Sequence, residues 1–127
     1  MTFAYWCVLA AAMLPYVTVG FAKKTGERYN NRAPRDWEQK LEGRARRAVF
    51  AHQNHFEAFP AFAAAVIIAH LAGAPQLTVD IIAGIFIAAR VAYTFAYIAD
   101  AHLLRSTLWF VGFACIIALF AAGAAAR

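Results

Sequence analysis

Nine of the twelve lysines and arginines of this 127-residue chain lie between Lys23 and Arg47, and the sequence on either side of that cluster is almost free of charge. This segregation constrains the fold more than any single motif. A helix of about 20 apolar residues rises about 1.5 Å per residue and so spans the roughly 30 Å hydrocarbon core of a bilayer. Residues 3–22, FAYWCVLAAAMLPYVTVGFA, carry no charge and have about that length, which predicts a first transmembrane helix, bent near Pro15. A signal peptide would place its positive charge before the apolar run, whereas Lys23 and Lys24 come after it. By the positive-inside rule the basic segment lies in the cytoplasm and the amino terminus outside.

Composition agrees: 63% hydrophobic and 15% charged residues describe a small polytopic membrane protein. The basic cluster also holds Glu27, Asp36, Glu38 and Glu42, so the net charge of +5 belongs to one loop of mixed sign. Such a loop orients a chain in the membrane and does not make a nucleic-acid surface. Cys7 and Cys115 fall in apolar runs without metal-ligating neighbours and read as packing residues.

From Lys23 to about Arg35, Asn30, Asn31 and Pro34 argue against continuous helix, and from Asp36 DWEQKLEGRARR reads as a short helical lead-in interrupted at Gly43. A second membrane helix is expected over 45–72, ending at Gly73-Ala74-Pro75, with Arg46, Arg47, His52 and Asn54 at the cytoplasmic interface or in a polar cavity. A third follows over 79–100, after Thr78 and Asp80, and a fourth over 106–126. The expected fold is therefore all-α, one integral membrane four-helix bundle with both termini outside. No repeat, linker or second domain is evident.

Within these spans the polar residues collect on two helices. Asn54 and Glu57 are three apart and share a helix face, with Pro60 beside them to bend the helix. Arg90 sits in the third span, with Tyr93 and Tyr97 three and seven residues further on the same face. A carboxylate and a guanidinium in lipid are each costly alone, so Glu57 and Arg90 are expected to meet across the two helices. One reading makes them a structural ion pair. The other uses the surplus amide and phenols to line a pocket for a small zwitterionic or carboxylate-bearing ligand. His52 and His55 are three apart but lack a third ligand nearby, so no metal site is expected and both read as interfacial histidines. Tyr5, Trp6, Tyr16 and Trp109 read as interface-belt or packing residues. Arg105 and Ser106 open the fourth helix as a snorkelling cation and a cap.

The segment RAVFAHQNHFEAFPAF is similar to the second-helix signature of the MAPEG proteins, the membrane-associated proteins of eicosanoid and glutathione metabolism, through Arg47, Asn54, Glu57 and Pro60. YNNRAPRDW resembles the loop of bacterial members, and ARVAYTFAYIADAHLLRS their third helix and following turn. The resemblance covers nearly the whole chain and implies a homotrimer in a bacterial inner membrane, with sites between subunits that open toward the cytoplasm. It implies that Arg47, Asn54, Glu57, Arg90, Tyr93 and Tyr97 bind glutathione and that Arg105 stabilises its thiolate, Ser106 occupying a position linked to thiol activation. The implied activity is a glutathione-dependent transferase or peroxidase-like reaction on a lipophilic electrophile. Phe50 and Gln53 stand where eicosanoid-synthesising members carry further arginines, and Ala58 replaces their tyrosine. These departures keep a second expectation open, a non-catalytic membrane protein of the same fold that binds a lipid or another small molecule. A small transporter has less support, since no internal repeat is present.

Overall fold

The computed structural model describes residues 1–126, and those residues form helices and short connections without strands. The helices are α1 (Phe3–Thr25), α2 (Pro34–Lys40), α3 (Gly43–Leu71), α4 (Gln76–Ile98) and α5 (His102–Ala125). Helices α1, α4 and α5 are each long and apolar enough to cross a membrane. The longest helix, α3, has 29 residues, but charged first turns and Asn54, His55, Glu57 and His70 dilute its apolar run. An expectation of four membrane helices thus meets five helices, three with the clear apolar character of a span. Pro15 and Pro60 both sit inside continuous helices.

Local chemistry sets the boundaries. The Thr2 hydroxyl accepts from the Tyr5 amide at 3.2 Å and caps α1. Pro34 begins α2, where its missing amide costs nothing, and Asp36 lies in that helix's first turn. The expected lead-in from Asp36 to Arg47 divides in two because Leu41 leaves the helical backbone and turns inward, 1% exposed. Two helix ends close with the same paired bonds. After α3, Gly73 has φ +83°, its amide reaches the His70 carbonyl, and the Ala74 amide reaches that of Ala69. After α4, Asp100 takes the same role at φ +61°, with amide bonds from Asp100 to Tyr97 and from Ala101 to Ala96.

The main core joins four helices. Phe62 of α3 and Phe86 of α4 stack with ring centroids 3.8 Å apart, surrounded by Ala4, Cys7 and Ala11 of α1 and Cys115 and Leu119 of α5. Both cysteines are free and buried. A second, smaller core at the charged end packs Trp37 and Leu41 against Ala22, Ala45, Ala48 and Val49. The Trp37 indole donates to the Glu27 carbonyl at 2.9 Å, and Tyr29 meets its ring edge-on. Gly26 makes this packing possible, because a Cβ there would lie 2.8 Å from both the Ala22 carbonyl and Leu41. The segment expected to be an irregular loop is therefore pinned to the bundle.

Two polar contacts fix the ends of the bundle. Asp80 accepts from the Ala4 amide at 2.9 Å and from Gln76 at 2.8 Å, holding the start of α1 against the start of α4. Gly123 lies close to Ala69, so α5 finishes at that same end. At the other end Arg47 donates through Nε to the Ile98 carbonyl at 3.0 Å. The basic segment and the α4–α5 turn therefore share one end, and the starts of α1 and α4 the other.

Candidate functional site

Arg90 organises the site. It is 3% exposed, and among the described residues no carboxylate forms an ion pair with it, the one salt bridge being Arg35 with Glu38 on α2. Its Nη2 donates to Asn54 Oδ1 at 2.8 Å, and both Nη2 and Nε reach His55 Nδ1, at 2.8 and 3.2 Å. The expected contact between Glu57 and Arg90 is corrected: Asn54 stands between them, donating through Nδ2 to Glu57 Oε2 at 3.1 Å. Physically the arrangement suits both charges. The guanidinium is satisfied by neutral acceptors inside the protein, while Glu57 stays exposed at the rim, where a carboxylate keeps its water.

His55 is the residue the sequence reading missed. Expected at an interface, it is 3% exposed, and His52 is 7% exposed. A guanidinium can only donate, so His55 Nδ1 must accept. Its Nε2 then carries the proton and donates to Thr94 Oγ1 at 2.8 Å, and Thr94 donates on to the Arg90 carbonyl at 3.0 Å. The closed circuit from Arg90 through His55 and Thr94 back to the Arg90 backbone fixes the imidazole as neutral. His52 is used differently: a carbonyl cannot donate, so Nδ1 donates to Pro15 at 2.7 Å, tying α3 to the middle of α1.

The two phenols continue the site. Arg90 lies 4.3 Å above the Tyr93 ring, Tyr93 meets Tyr97 edge-on at 5.6 Å, and Arg105 lies 4.6 Å above Tyr97. The two cations thus flank a pair of aromatic rings whose faces attract them. Phe50 extends the row, its centroid 6.4 Å from that of Tyr97 and Arg46 5.3 Å above its own ring. Of the residues expected to bind ligand, Arg47 stands apart, its Nε committed to Ile98.

Two cavities flank this row. One, about 220 Å³, lies among α3, α4 and α5, with Asn54, Glu57 and Arg90 on its polar wall and Phe86, Phe113 and Ile116 on its apolar one. The other, about 210 Å³, is lined by Tyr93, Arg105, Ser106, Trp109 and Phe110. Trp109 belongs to both, so a residue expected at the membrane interface or in packing separates the two cavities. Among the described residues no buried side-chain donor lacks a partner. Arg90 Nη1, which makes none of the bonds above, is therefore the part of the guanidinium left to the cavity. Together the cavities offer a carboxylate, two guanidiniums, an amide, one phenol, a hydroxyl and an apolar floor.

A family model described as the MAPEG family matches residues 3–125. No curated protein and no solved structure matches the chain.

Proposed function

The chain belongs to the MAPEG family, and on that footing we propose that it is a membrane-bound glutathione-dependent transferase or peroxidase-like enzyme acting on lipophilic electrophiles. Membership supports a membrane-associated role in glutathione or eicosanoid metabolism in general. The observation that carries the finer reading is the pairing of a rim carboxylate with a buried guanidinium that has only neutral partners. Glutathione brings an ammonium group and two carboxylates, so Glu57 suits the first and Arg90 Nη1 one of the second. Tyr93 and Tyr97 offer hydroxyls and ring faces to the peptide between them.

Arg105 supplies the chemistry. A thiol with pKa near 8.5 is mostly protonated at neutral pH, and a guanidinium beside it stabilises the thiolate and raises its reactive fraction. The thiolate attacks the electrophilic carbon, the carbon–sulfur bond forms, and the leaving group departs with its electron pair. Phe113 and Ile116 give the apolar substrate a wall reached from the hydrocarbon region. Each cavity falls below the roughly 300 Å³ at which ligand pockets begin, which fits sites completed by a neighbouring subunit of a homotrimer. The orientation we propose places the basic segment in the cytoplasm of a bacterial inner membrane and both termini outside.

Phe50, Gln53 and Ala58 support the other reading, a non-catalytic protein of the same fold, because they remove cationic and phenolic partners and Arg47 does not supply its Nε in their place. Two measurements separate the readings. In detergent, the purified protein should conjugate glutathione to a generic aromatic halide, and Arg105→Ala should lower that rate by at least tenfold, the worth of one charge-assisted hydrogen bond of about 1.4 kcal/mol. Equal rates for wild type, variant and buffer would remove the enzymatic claim. Calorimetry showing no heat at millimolar glutathione would leave the non-catalytic binding protein.

A further inference from the structure

A guanidinium carries several N–H donors, and which of them faces a ligand depends on what holds the rest. Beside Arg90 that task falls to His55 and Thr94, neither of which lines the two cavities of the site. We propose that His55, locked in one tautomer by Thr94, is a positioning residue that turns the Arg90 guanidinium so that Nη1 faces the ligand. The ligand in this proposal rests on the glutathione reading; the geometry does not.

The proton positions follow from what each group can do. A hydroxyl has one proton, and Thr94 gives it to the Arg90 carbonyl at 3.0 Å. Toward His55 Nε2, 2.8 Å away, the same oxygen can then only accept. On the other side of the ring the guanidinium can only donate, so Nδ1 has to be bare. Two constraints from opposite sides thus specify the same tautomer. The alternative would set N–H against N–H at Nδ1 and one lone pair against another at Nε2.

That tautomer decides how Arg90 is held. His55 Nδ1 collects Nε–H and one hydrogen of Nη2, and Asn54 Oδ1 takes the other hydrogen of Nη2. Every donor along one edge of the guanidinium is therefore used, and the two hydrogens of Nη1 remain. Tyr93 sets the plane, with the guanidinium 4.3 Å from its ring centroid, and His55 sets the rotation within that plane. Each of the two acceptors has its own orienting partner, Glu57 for Asn54 and Thr94 for His55. His55 and Arg90 are both buried, so water does not readily replace an acceptor that turns away. A hydrogen bond at the far nitrogen of an imidazole is a common way to fix what its near nitrogen presents.

The test compares Thr94→Val, which keeps the branched shape and removes the hydroxyl, with Thr94→Ser, which keeps the hydroxyl. Thr18→Val is the control, because Thr18 is buried on α1 and makes the same kind of bond, to the Leu14 carbonyl at 2.7 Å, with no histidine in the circuit. The full chain in detergent is read in two ways, by the nitrogen-15 shifts of its histidine rings and by calorimetric titration with glutathione. His55 is assigned as the signal that His55→Gln lacks. We expect wild type, Thr94→Ser and Thr18→Val to show the Nε2–H tautomer at His55 and to bind glutathione alike. Thr94→Val should lose that single tautomer and bind about fivefold more weakly. In a conjugation assay the loss should appear in KM for glutathione, with kcat changed by less than about twofold, because Arg90 meets a carboxylate and not the thiol. Wild-type affinity in a folded Thr94→Val would overturn the proposal and leave the glutathione reading intact, as would an equal loss in Thr18→Val or a loss confined to kcat. If wild type itself gives no heat with glutathione, the glutathione reading falls and the ring spectra judge the geometry: an unchanged tautomer in Thr94→Val overturns it, and a lost one supports it. Should Thr94→Val not fold, Thr94→Ala removes the same hydroxyl and carries the same expectations.

Discussion

Arg90 is a buried charge whose nearest partners are neutral, and that choice separates its structural support from its use. A direct carboxylate partner would cancel the positive potential of the cavity, whereas Asn54 and His55 satisfy the guanidinium and leave its charge available. Removing His55 leaves donors buried without an acceptor. His55→Ala is therefore expected to cost about 1.5–3 kcal/mol, the range for a lost hydrogen bond to a charged group. His55→Gln, with a carbonyl oxygen to accept in its place, should recover part of that loss, and denaturant unfolding in detergent measures both. Glu57 behaves differently because it is exposed. Glu57→Gln should change stability by less than about 0.5 kcal/mol yet weaken glutathione binding by about tenfold, which calorimetry reads directly. Equal effects on folding and binding would mean that Glu57 serves the scaffold. That Asn54, Glu57 and Arg90 gather at one place was legible in their spacing. Which of the α3 side chains meets Arg90 was not, since it depends on the rotation of α3 against α4, set by packing such as the stack of Phe62 on Phe86.

At the scale of the elements, the turn after α4 carries the clearest local strain. Gly73 and Asp100 occupy equivalent positions with positive φ, but only glycine adopts that backbone without a steric cost of about 1–2 kcal/mol. Asp100→Gly should accordingly raise stability by about 0.5–1 kcal/mol after its greater freedom in the unfolded chain is subtracted. A higher denaturation midpoint checks it, and a lower one would show that the aspartate side chain has a role of its own. The apolar runs made α1, α4 and α5 legible, because a helix that faces lipid needs no pattern beyond length and the absence of charge. Helix α2 was only half legible. Asp36 marked its first turn, but the burial of Trp37 and Leu41 against α1 and α3 is a long-range contact that turns an expected helical lead-in into part of a second core at the charged end. Trp37→Ala should cost about 3–5 kcal/mol if that small core is fully formed, and should expose residues 26–42 to protease in detergent.

For the whole molecule, the distribution of charge over the two ends makes a prediction about topology. The Arg47 bond to Ile98 places the basic segment and the α4–α5 turn at one end, while the Asp80 bond to Ala4 and the approach of Gly123 to Ala69 gather the other connections at the opposite end. Charge selects which end stays in the cytoplasm, and the basic end is strongly favoured. Both native cysteines are buried, so single exposed cysteines can report on either end against a quiet background. Arg32→Cys lies in the basic segment, and Ala72→Cys lies in the turn after α3; both positions are exposed. In intact spheroplasts a membrane-impermeant maleimide should label the chain carrying Ala72→Cys and spare the one carrying Arg32→Cys until the membrane is opened. The reverse pattern would place Arg105 and both cavities outside the cell, away from the reduced glutathione of the cytoplasm. Labelling at both positions before lysis would mean that the bundle does not span the bilayer, because the two ends are separated by the full length of α3.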